Sequence, residues 1–387
     1  MTEISLDKSA IKNNWDFLQS YFPRQVKISA VVKGNAYGHG IETYVPFAEE
    51  CGVSHFSVFD AEEAYKVHRV AKKSTAIMIM GAMADEDISW AVANDVEFYV
   101  FEKSRLLKAI NEAERQGKRA IVHIEVETGM YRTGFEEKDM DMVISTLEKN
   151  KDFLTFRGLC MHFAGAEHIS NYVRLRKQKA AFRKVLKQFK ASGVEPEIIH
   201  TCCSAASLRL PEMHYDMVRI GIMQYGFWPS QELKVEYLTK KEFEDGDVVS
   251  SPLHRVINWT SNVMSTKIVP KGAYIGYGYS FLAKRNMEIA TIPVGYSHGF
   301  SRGLSNSGIV LLKGQLLPVV GIVNMNCIVV DITDVPGVSI GDKVILIGEE
   351  NNKEISVASF GEMINELNYE LLTRLPNEIK RKLVESI

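Results

Sequence analysis

The run EFYVFEKSRLLKAINEAERQGKRAIVHIEV, residues 97–126, decides the fold. EFYVF (97–101) and RAIVHIEV (119–126) are short apolar runs rich in β-formers. KSRLLKAINEAERQG (103–117) has apolar residues at helical spacing and stops at Gly117, the residue a helix C-terminus favours. Strand, helix, strand is the repeating unit of a parallel sheet. Outward from it the alternation continues. Further strands read at 26–33, 55–60, 75–81, 156–163, 197–203 and 217–223, with helical patterns such as AEEAYKVHRVA (61–71) between them. The strands are continuous apolar runs, as expected of strands buried on both faces. Eight strand–helix units in about 225 residues predict an α/β fold of the (β/α)8, or TIM, barrel kind. A doubly wound open sheet is the alternative.

Near Trp228 the character changes. Residues 229–250 are polar and charged and read as a linker, whereas from about 252 short strands alternate with Gly/Pro turns. The expected organisation is a barrel domain at 1–228, a linker at 229–250 and a mostly-β C-terminal domain at 251–387. The first few residues are a candidate for pairing with the C-terminal domain.

Composition excludes several classes. The 387 residues are 46% hydrophobic and 24% charged, ordinary for a globular chain, with 46 Lys+Arg against 48 Asp+Glu. Nothing suggests a nucleic-acid partner. No apolar run reaches the roughly 18 residues of a membrane helix, and the N-terminus has no apolar signal core, so a cytoplasmic location is expected. Five cysteines without a CxxC fit a reducing compartment and argue against a metal site. The basic run 173–190 reads as a solvated helix face.

In such a barrel the strand C-termini form the active-site mouth. The first strand ends at Lys33, the fifth at Glu125 with Arg132 in the loop beyond, and the sixth at His162. The seventh leads into Ser204, and the eighth carries Arg219, Gly221 and Ile222. The loops after the last two strands are the common phosphate site of these barrels. A lysine facing a phosphate cradle points to a phosphate-bearing cofactor joined to it as a Schiff base, pyridoxal 5'-phosphate (PLP).

AVVKGNAYGHG (30–40) closely resembles the PLP-lysine signature of the alanine racemase family. Further landmarks follow in order over almost the whole chain: ETGMYRTG (127–134), CMHFAGAE (160–167), HTCCSAA (200–206), VRIGIMQYG (218–226), GYGYSF (276–281), PVGYSHGFSR (293–302), GIVNMN (321–326) and NYELLTRL (368–375). The resemblance implies a PLP-dependent racemase of a small amino acid. It also implies a homodimer in which the β domain of one chain covers the barrel mouth of the other. It makes Lys33 the PLP lysine and one base, and Tyr277, acting in the partner's site, the other. Tyr37, Ser204, Gly221 and Ile222 hold the phosphate, and Arg219 faces the pyridine nitrogen. His162 links Arg219 to Tyr277. Arg132 and the Met325 N–H hold the substrate carboxylate, while Tyr296, Arg302 and Glu167 line the entrance. Two bases on opposite faces suit racemisation, which removes a proton from one face of Cα and returns one to the other.

The chain departs from the family pattern at named places. Tyr131 stands where the family has glycine. Glu125 stands where many members carry a carbamylated lysine, and is expected to hold Arg132 in place. Asn326 and Ile322 replace an Asp and an Arg. Asn377 falls where the family has a tyrosine, which brings serine into view as an alternative substrate. Two other readings are a PLP decarboxylase and a barrel-only PLP carrier. The first lacks its glycine-rich phosphate loop here, and the second would have neither residues 252–387 nor Tyr277.

Overall fold

The computed structural model describes residues 2–246, 249–364 and 368–386. They fall into two compact units. The barrel unit comprises Ala10–Gly34 and Tyr44–His254, and the β unit comprises the chain before Ala10, Asn35–Thr43 and the chain from Arg255 on.

The chain opens with β1 (Glu3–Asp7), part of the β unit. The barrel strands are β2 (Lys27–Val31), β3 (His55–Val58), β4 (Ala76–Ile79), β5 (Glu97–Val100), β6 (Ala120–Glu125), β7 (Leu154–Cys160), β8 (Ile198–His200) and β9 (Met217–Ile220). Each pairs in parallel with its sequence neighbours, and β9 returns to β2. Between β8 and β9 the ring closes through a parallel bridge, Cys203 to Arg219, in which the Arg219 N–H donates to the Cys202 carbonyl at 2.9 Å. Strands β3, β5 and β9 are buried at every residue, which explains why their sequences do not alternate.

The helix after β5, Lys103–Gln116, buries Leu106, Ala109, Ile110 and Ala113, one stripe at three- and four-residue spacing. Burial of its leucine and isoleucine side chains is worth about 1.5–3 kcal/mol each. Gly117 ends it at φ 62°, its N–H donating to the Ala113 and Glu114 carbonyls.

Residues 229–250, expected as a linker, contain a helix, Gln231–Asp245. Ser230 caps it by accepting from the Leu233 N–H, and Leu233 is its buried anchor. The polar composition concealed a helix with one cap and a sparse apolar side.

The β unit contains β10 (Ile257–Asn262), β11 (Ser265–Val269), β12 (Met287–Ile292), β13 (Ile309–Leu312), β14 (Gln315–Pro318), β15 (Ile328–Asp331), β16 (Lys343–Glu350), β17 (Lys353–Ile355) and β18 (Arg381–Val384). One sheet runs β14-β13-β16-β10-β1-β18 with β17 on β16, and a smaller one runs β11-β12-β15. Strand β1 lies antiparallel to β10 and parallel to β18.

The segment Asn35–Thr43 is held by the C-terminal part of this unit. Arg381 donates to the Gly38 carbonyl from Nε at 3.2 Å and Nη2 at 3.1 Å. Asn35 Nδ2 donates to Asn377 Oδ1 at 2.7 Å, and the rings of Tyr37 and Tyr369 lie 5.9 Å apart. Gly38 sits at φ 78°, and a Cβ there would lie 2.0 Å from the Leu372 carbonyl oxygen, so only glycine fits. No helix among the described residues is long and apolar enough to cross a membrane.

Candidate active site

Lys33 lies two residues beyond the end of β2, and the backbone then takes four left-handed residues, Gly34 (φ 62°), Asn35 (53°), Ala36 (55°) and Tyr37 (51°). For alanine and tyrosine this conformation costs roughly 1–2 kcal/mol per residue, so tertiary contacts must impose it. Burial among protein atoms, followed by the Arg132 guanidinium, lowers the Lys33 pKa; Arg219 adds to this, while Glu63 and Cys203 oppose it. A lysine so placed is more readily present as a free amine.

Arg132 lies in the loop after β6. Glu127 organises that loop: its carboxylate accepts the backbone N–H groups of Gly129, Met130 and Tyr131, the last two at 2.7 Å. Tyr131 is left-handed at φ 56° and 88% exposed. A glycine would adopt this backbone conformation without strain, and the tyrosine ring lies in solvent.

Glu125 ends β6 and is buried, and its Oε2 has no hydrogen-bond partner among the described residues. Desolvation raises its pKa, and a hydrogen bond with the Thr133 side chain, then the charges of Arg132 and Arg219, work against that rise. Glu125, expected to hold Arg132 in place, makes no direct ion pair with it among the described residues. Glu125 stops at the strand end while Arg132 lies on the exposed loop, so its charge acts on Arg132 without contact.

Arg219 is the most constrained group. It is 3% exposed on β9. Its Nη1 donates to His200 Nδ1 at 2.6 Å and to the His200 carbonyl at 3.0 Å. Its Nη2 donates to the carbonyls of Met161 at 2.8 Å and Thr201 at 3.2 Å. Only the Nε–H is left without a partner among the described residues. The expected link from Arg219 to His162 is not made: His200 takes that place, because β8 is the strand beside β9 and ends at His200. His162 lies two residues beyond β7. Burial, with the cations Arg219, Arg132 and Lys33 nearby, pushes its pKa down to about 3, so it is a neutral imidazole.

Ser204 begins a short helix, Ser204–Arg209, and its Oγ accepts the Gly221 N–H at 2.9 Å. Ile222 follows in a buried turn, Ile222–Tyr225. Glu167 is partly buried, and its carbonyl accepts from Ser230 Oγ at 2.8 Å. Lys33, Arg132, Glu125, His162, Ser204, Arg219, Gly221 and Ile222 therefore belong to one unit, at the strand C-termini.

The other candidates belong to the β unit. Tyr37 is buried there, whereas Tyr277 is 73% exposed between Gly276 and Gly278, both at positive φ. Tyr296 and Met325 are exposed, and the Met325 carbonyl accepts from the N–H and the Oγ of Ser297. The Met325 N–H makes no hydrogen bond among the described residues, which leaves it able to bind an anion. Arg302 is exposed at the head of a short turn, Arg302–Leu304. Asn377 is exposed, with its amide oxygen engaged by Asn35.

The residues present suit PLP. Arg219 is a buried cation with one unused donor, appropriate to an uncharged pyridine nitrogen, which can only accept. Lys33 is an amine with a lowered pKa, and Ser204, its Oγ oriented by the Gly221 N–H, offers its hydroxyl proton to a phosphate. Sequence reasoning missed His200 and, behind it, Glu97, His123 and His55. The available signal was polar residues inside strand runs that otherwise read as wholly buried.

Residues 6–229 match the family described as alanine racemase, N-terminal domain, and residues 256–383 match alanine racemase, C-terminal domain. The chain is 35% identical to alanine racemase 1 of Caldanaerobacter subterraneus subsp. tengcongensis over 98% of this chain and 94% of that one. The alanine racemase of Bacillus anthracis with bound L-Ala-P superposes at a TM-score of 0.89 and 32% identity, covering 99% of this chain and 95% of that one. The Bartonella henselae alanine racemase with covalently bound pyridoxal phosphate gives 0.84 and 27%, covering 99% of each chain. With both halves matched and such relatives spanning nearly its full length, the chain belongs to the alanine racemase family.

Proposed function

We infer that this chain interconverts L- and D-alanine as a PLP-dependent racemase. The observation that carries the reading is the Arg219 guanidinium, buried and saturated except at Nε, in the same strand-end cluster as a lysine with a lowered pKa. Lys33 would hold the cofactor, Arg219 Nε–H would face its pyridine nitrogen, and Tyr37, Ser204, Gly221 and Ile222 would hold its phosphate. When bound, PLP acidifies the Cα–H of the amino acid it carries. Lys33 Nζ takes or returns the proton on one face of Cα, and the Tyr277 phenol does so on the other. Arg132 and the Met325 N–H orient the substrate carboxylate, and the Glu125 charge steadies Arg132 from a distance. His162, kept neutral, adds no cation to a mouth that already holds Arg132 and Arg219. Arg219 is always protonated and cannot serve as the pyridine's acid, so it leaves that nitrogen uncharged.

Tyr277 is read as acting in the partner's site of a homodimer. Its 73% exposure, beside the exposed rings of Tyr274 and Tyr279, supports a surface that another chain covers. Tyr296, Arg302 and Glu167 are read as the entrance. A cytoplasmic location belongs to the same reading and is supported by five free cysteines.

The test is to incubate purified protein with L-alanine and follow chirality. Racemisation is expected, from a yellow protein whose borohydride reduction leaves a pyridoxyl mass on the Lys33 peptide. Decarboxylation, no turnover, or an adduct on another lysine would overturn the reading.

A further inference from the structure

A chain of buried polar groups leads from Arg219 across the interior of the barrel, from strand to strand. His200 Nδ1 receives Arg219 Nη1, and His200 Nε2 lies 2.8 Å from His123 Nδ1. His123 Nε2 lies 2.9 Å from Glu97 Oε2, which is also 3.2 Å from His55 Nε2. His55 Nδ1 lies 2.8 Å from Ser29 Oγ, which in turn contacts Ser57 Oγ. His200, His123, His55 and Ser29 are fully buried, and Glu97 is 5% exposed. Glu97 and His55 are the first residues of their strands, and Ser29 is the register partner of Arg219 across the β2–β9 pair, so the chain runs round the inside of the barrel and returns beside Arg219.

The direction of these hydrogen bonds follows from one fact: arginine can only donate. His200 Nδ1 must therefore accept, so its proton is on Nε2. That proton goes to His123 Nδ1, so the His123 proton is also on Nε2 and goes to Glu97. Neither imidazole can be charged, since a second N–H would point donor at donor. Burial lowers the pKa of both, in agreement with neutral rings. The carboxylate of Glu97 is the terminal acceptor, with Arg157 Nε 3.4 Å from its other oxygen.

The backbone makes room for this arrangement. The β6–β7 register shifts at His123, and Gly158 is its partner on β7. A Cβ on Gly158 would lie 2.0 Å from His123 Nδ1. A side chain there would displace the ring that joins His200 to Glu97.

We propose that Glu97, acting through His123 and His200 and supported by His55, is a positioning residue that fixes Arg219 as a donor facing the cofactor's pyridine nitrogen. The proposal rests on the racemase reading above. Glu97 touches neither substrate nor cofactor; it fixes two tautomers, and these fix a guanidinium.

The first test needs no variant. Selective ¹⁵N-histidine labelling of the apoprotein, with assignment by single histidine substitutions, reads the tautomer of each ring. Neutral Nε2–H forms are expected for His123 and His200 at pH 7. An Nδ1–H tautomer or an imidazolium at either would overturn the proposal. The second test compares Glu97→Leu, which removes the acceptor, with Glu97→Gln, which keeps one. Glu97→Leu should lower kcat for L-alanine at least tenfold with KM within twofold, and Glu97→Gln should stay within threefold of wild type. A folded Glu97→Leu protein with unchanged kcat would overturn the proposal. If Glu97→Leu does not fold, the wild-type tautomers still decide. If the wild type does not racemise at all, the functional reading fails, and the tautomers still report on the relay.

Discussion

The barrel unit and the β unit carry their candidate residues in opposite ways. In the barrel, Arg219 is 3% exposed with four hydrogen bonds from its two terminal nitrogens, and Ser204 and Gly221 are already paired. In the β unit, Tyr277 and Met325 are 73% and 56% exposed. Interior packing fixes the first set before any ligand arrives, which is the preorganisation that electrostatic catalysis requires. The second set lies on loops and depends on whatever comes to cover it.

The strongest way to break this comparison is to remove Lys33. Lys33→Ala should lose about 10³-fold or more in kcat/KM, at the upper part of the range for a single acid–base group because the cofactor tether goes too. The barrel fold, read by circular dichroism, should be unaffected. Loss of the fold would mean that the mouth is not organised independently of its lysine.

Tyr277→Phe addresses the exposed set and should lower kcat about 10²–10³-fold. Mixing it with Lys33→Ala should restore activity, up to about a quarter of wild type after random subunit exchange in a twofold dimer. If exchange is verified and no activity returns, Tyr277 does not act across a dimer.

Glu125→Gln tests the cost of preorganisation. KM for alanine should rise about tenfold, since Arg132 loses a counter-charge. Stability should move the other way. The folded pKa of Glu125 is raised, so its charged form is disfavoured by folding, and the penalty grows as pH rises above the unfolded value. At pH 7 the glutamine variant should melt higher than wild type, and near pH 4 the gain should vanish. An unchanged KM would remove Glu125 from the site.

Asn377→Tyr should shift kcat/KM toward alanine over serine by about fivefold, within what one pocket group can discriminate. Asn377 already gives its amide oxygen to Asn35, so its NH2 is the group left for a substrate hydroxyl. An unchanged ratio would show that Asn377 serves only the Asn35 contact.

The smallest effect is in acid. His162 has its pKa pushed down to about 3, so between pH 6.5 and that value the unfolded chain holds a proton that the folded chain refuses. Stability should then fall with acid by up to about 1.4 kcal/mol per pH unit from this residue. The melting temperature of the apoprotein should drop between pH 7.5 and 5.5, and His162→Gln should flatten that slope. A parallel slope in the variant would mean that His162 is not held neutral.

The eight barrel strands were legible because burial on both faces leaves an unbroken apolar run, as in HFSV and EFYV. Lys33, Arg132, Ser204 and Arg219 were legible because strand ends define the mouth. The helix Gln231–Asp245 was not, since its side facing the protein is marked by little more than Leu233. Strand β18, the charged run RKLV, gets its place from the edge that β1 offers it. The His200–Glu97 relay was hidden because strands β5, β6 and β8 bring together residues that are 26 and 77 positions apart in sequence, the second pair meeting across β7. Only a barrel cross-section aligns them.

The hold that Arg381 has on Gly38 sets an order in time. The two residues are 343 positions apart, yet the turn after Lys33 depends on their contact. Chains are synthesised from the N-terminus, so the turn is made early and waits for Leu372, Asn377 and Arg381 to emerge. Until then four consecutive left-handed residues, two of them alanine and tyrosine, have only bonds within the turn, such as the Ile41 N–H to Asn35 Oδ1 and the Gly40 N–H to the Asn35 carbonyl, to hold their shape. The stretch that carries the reactive lysine is thus among the first parts of the chain to be made and among the last to be finished.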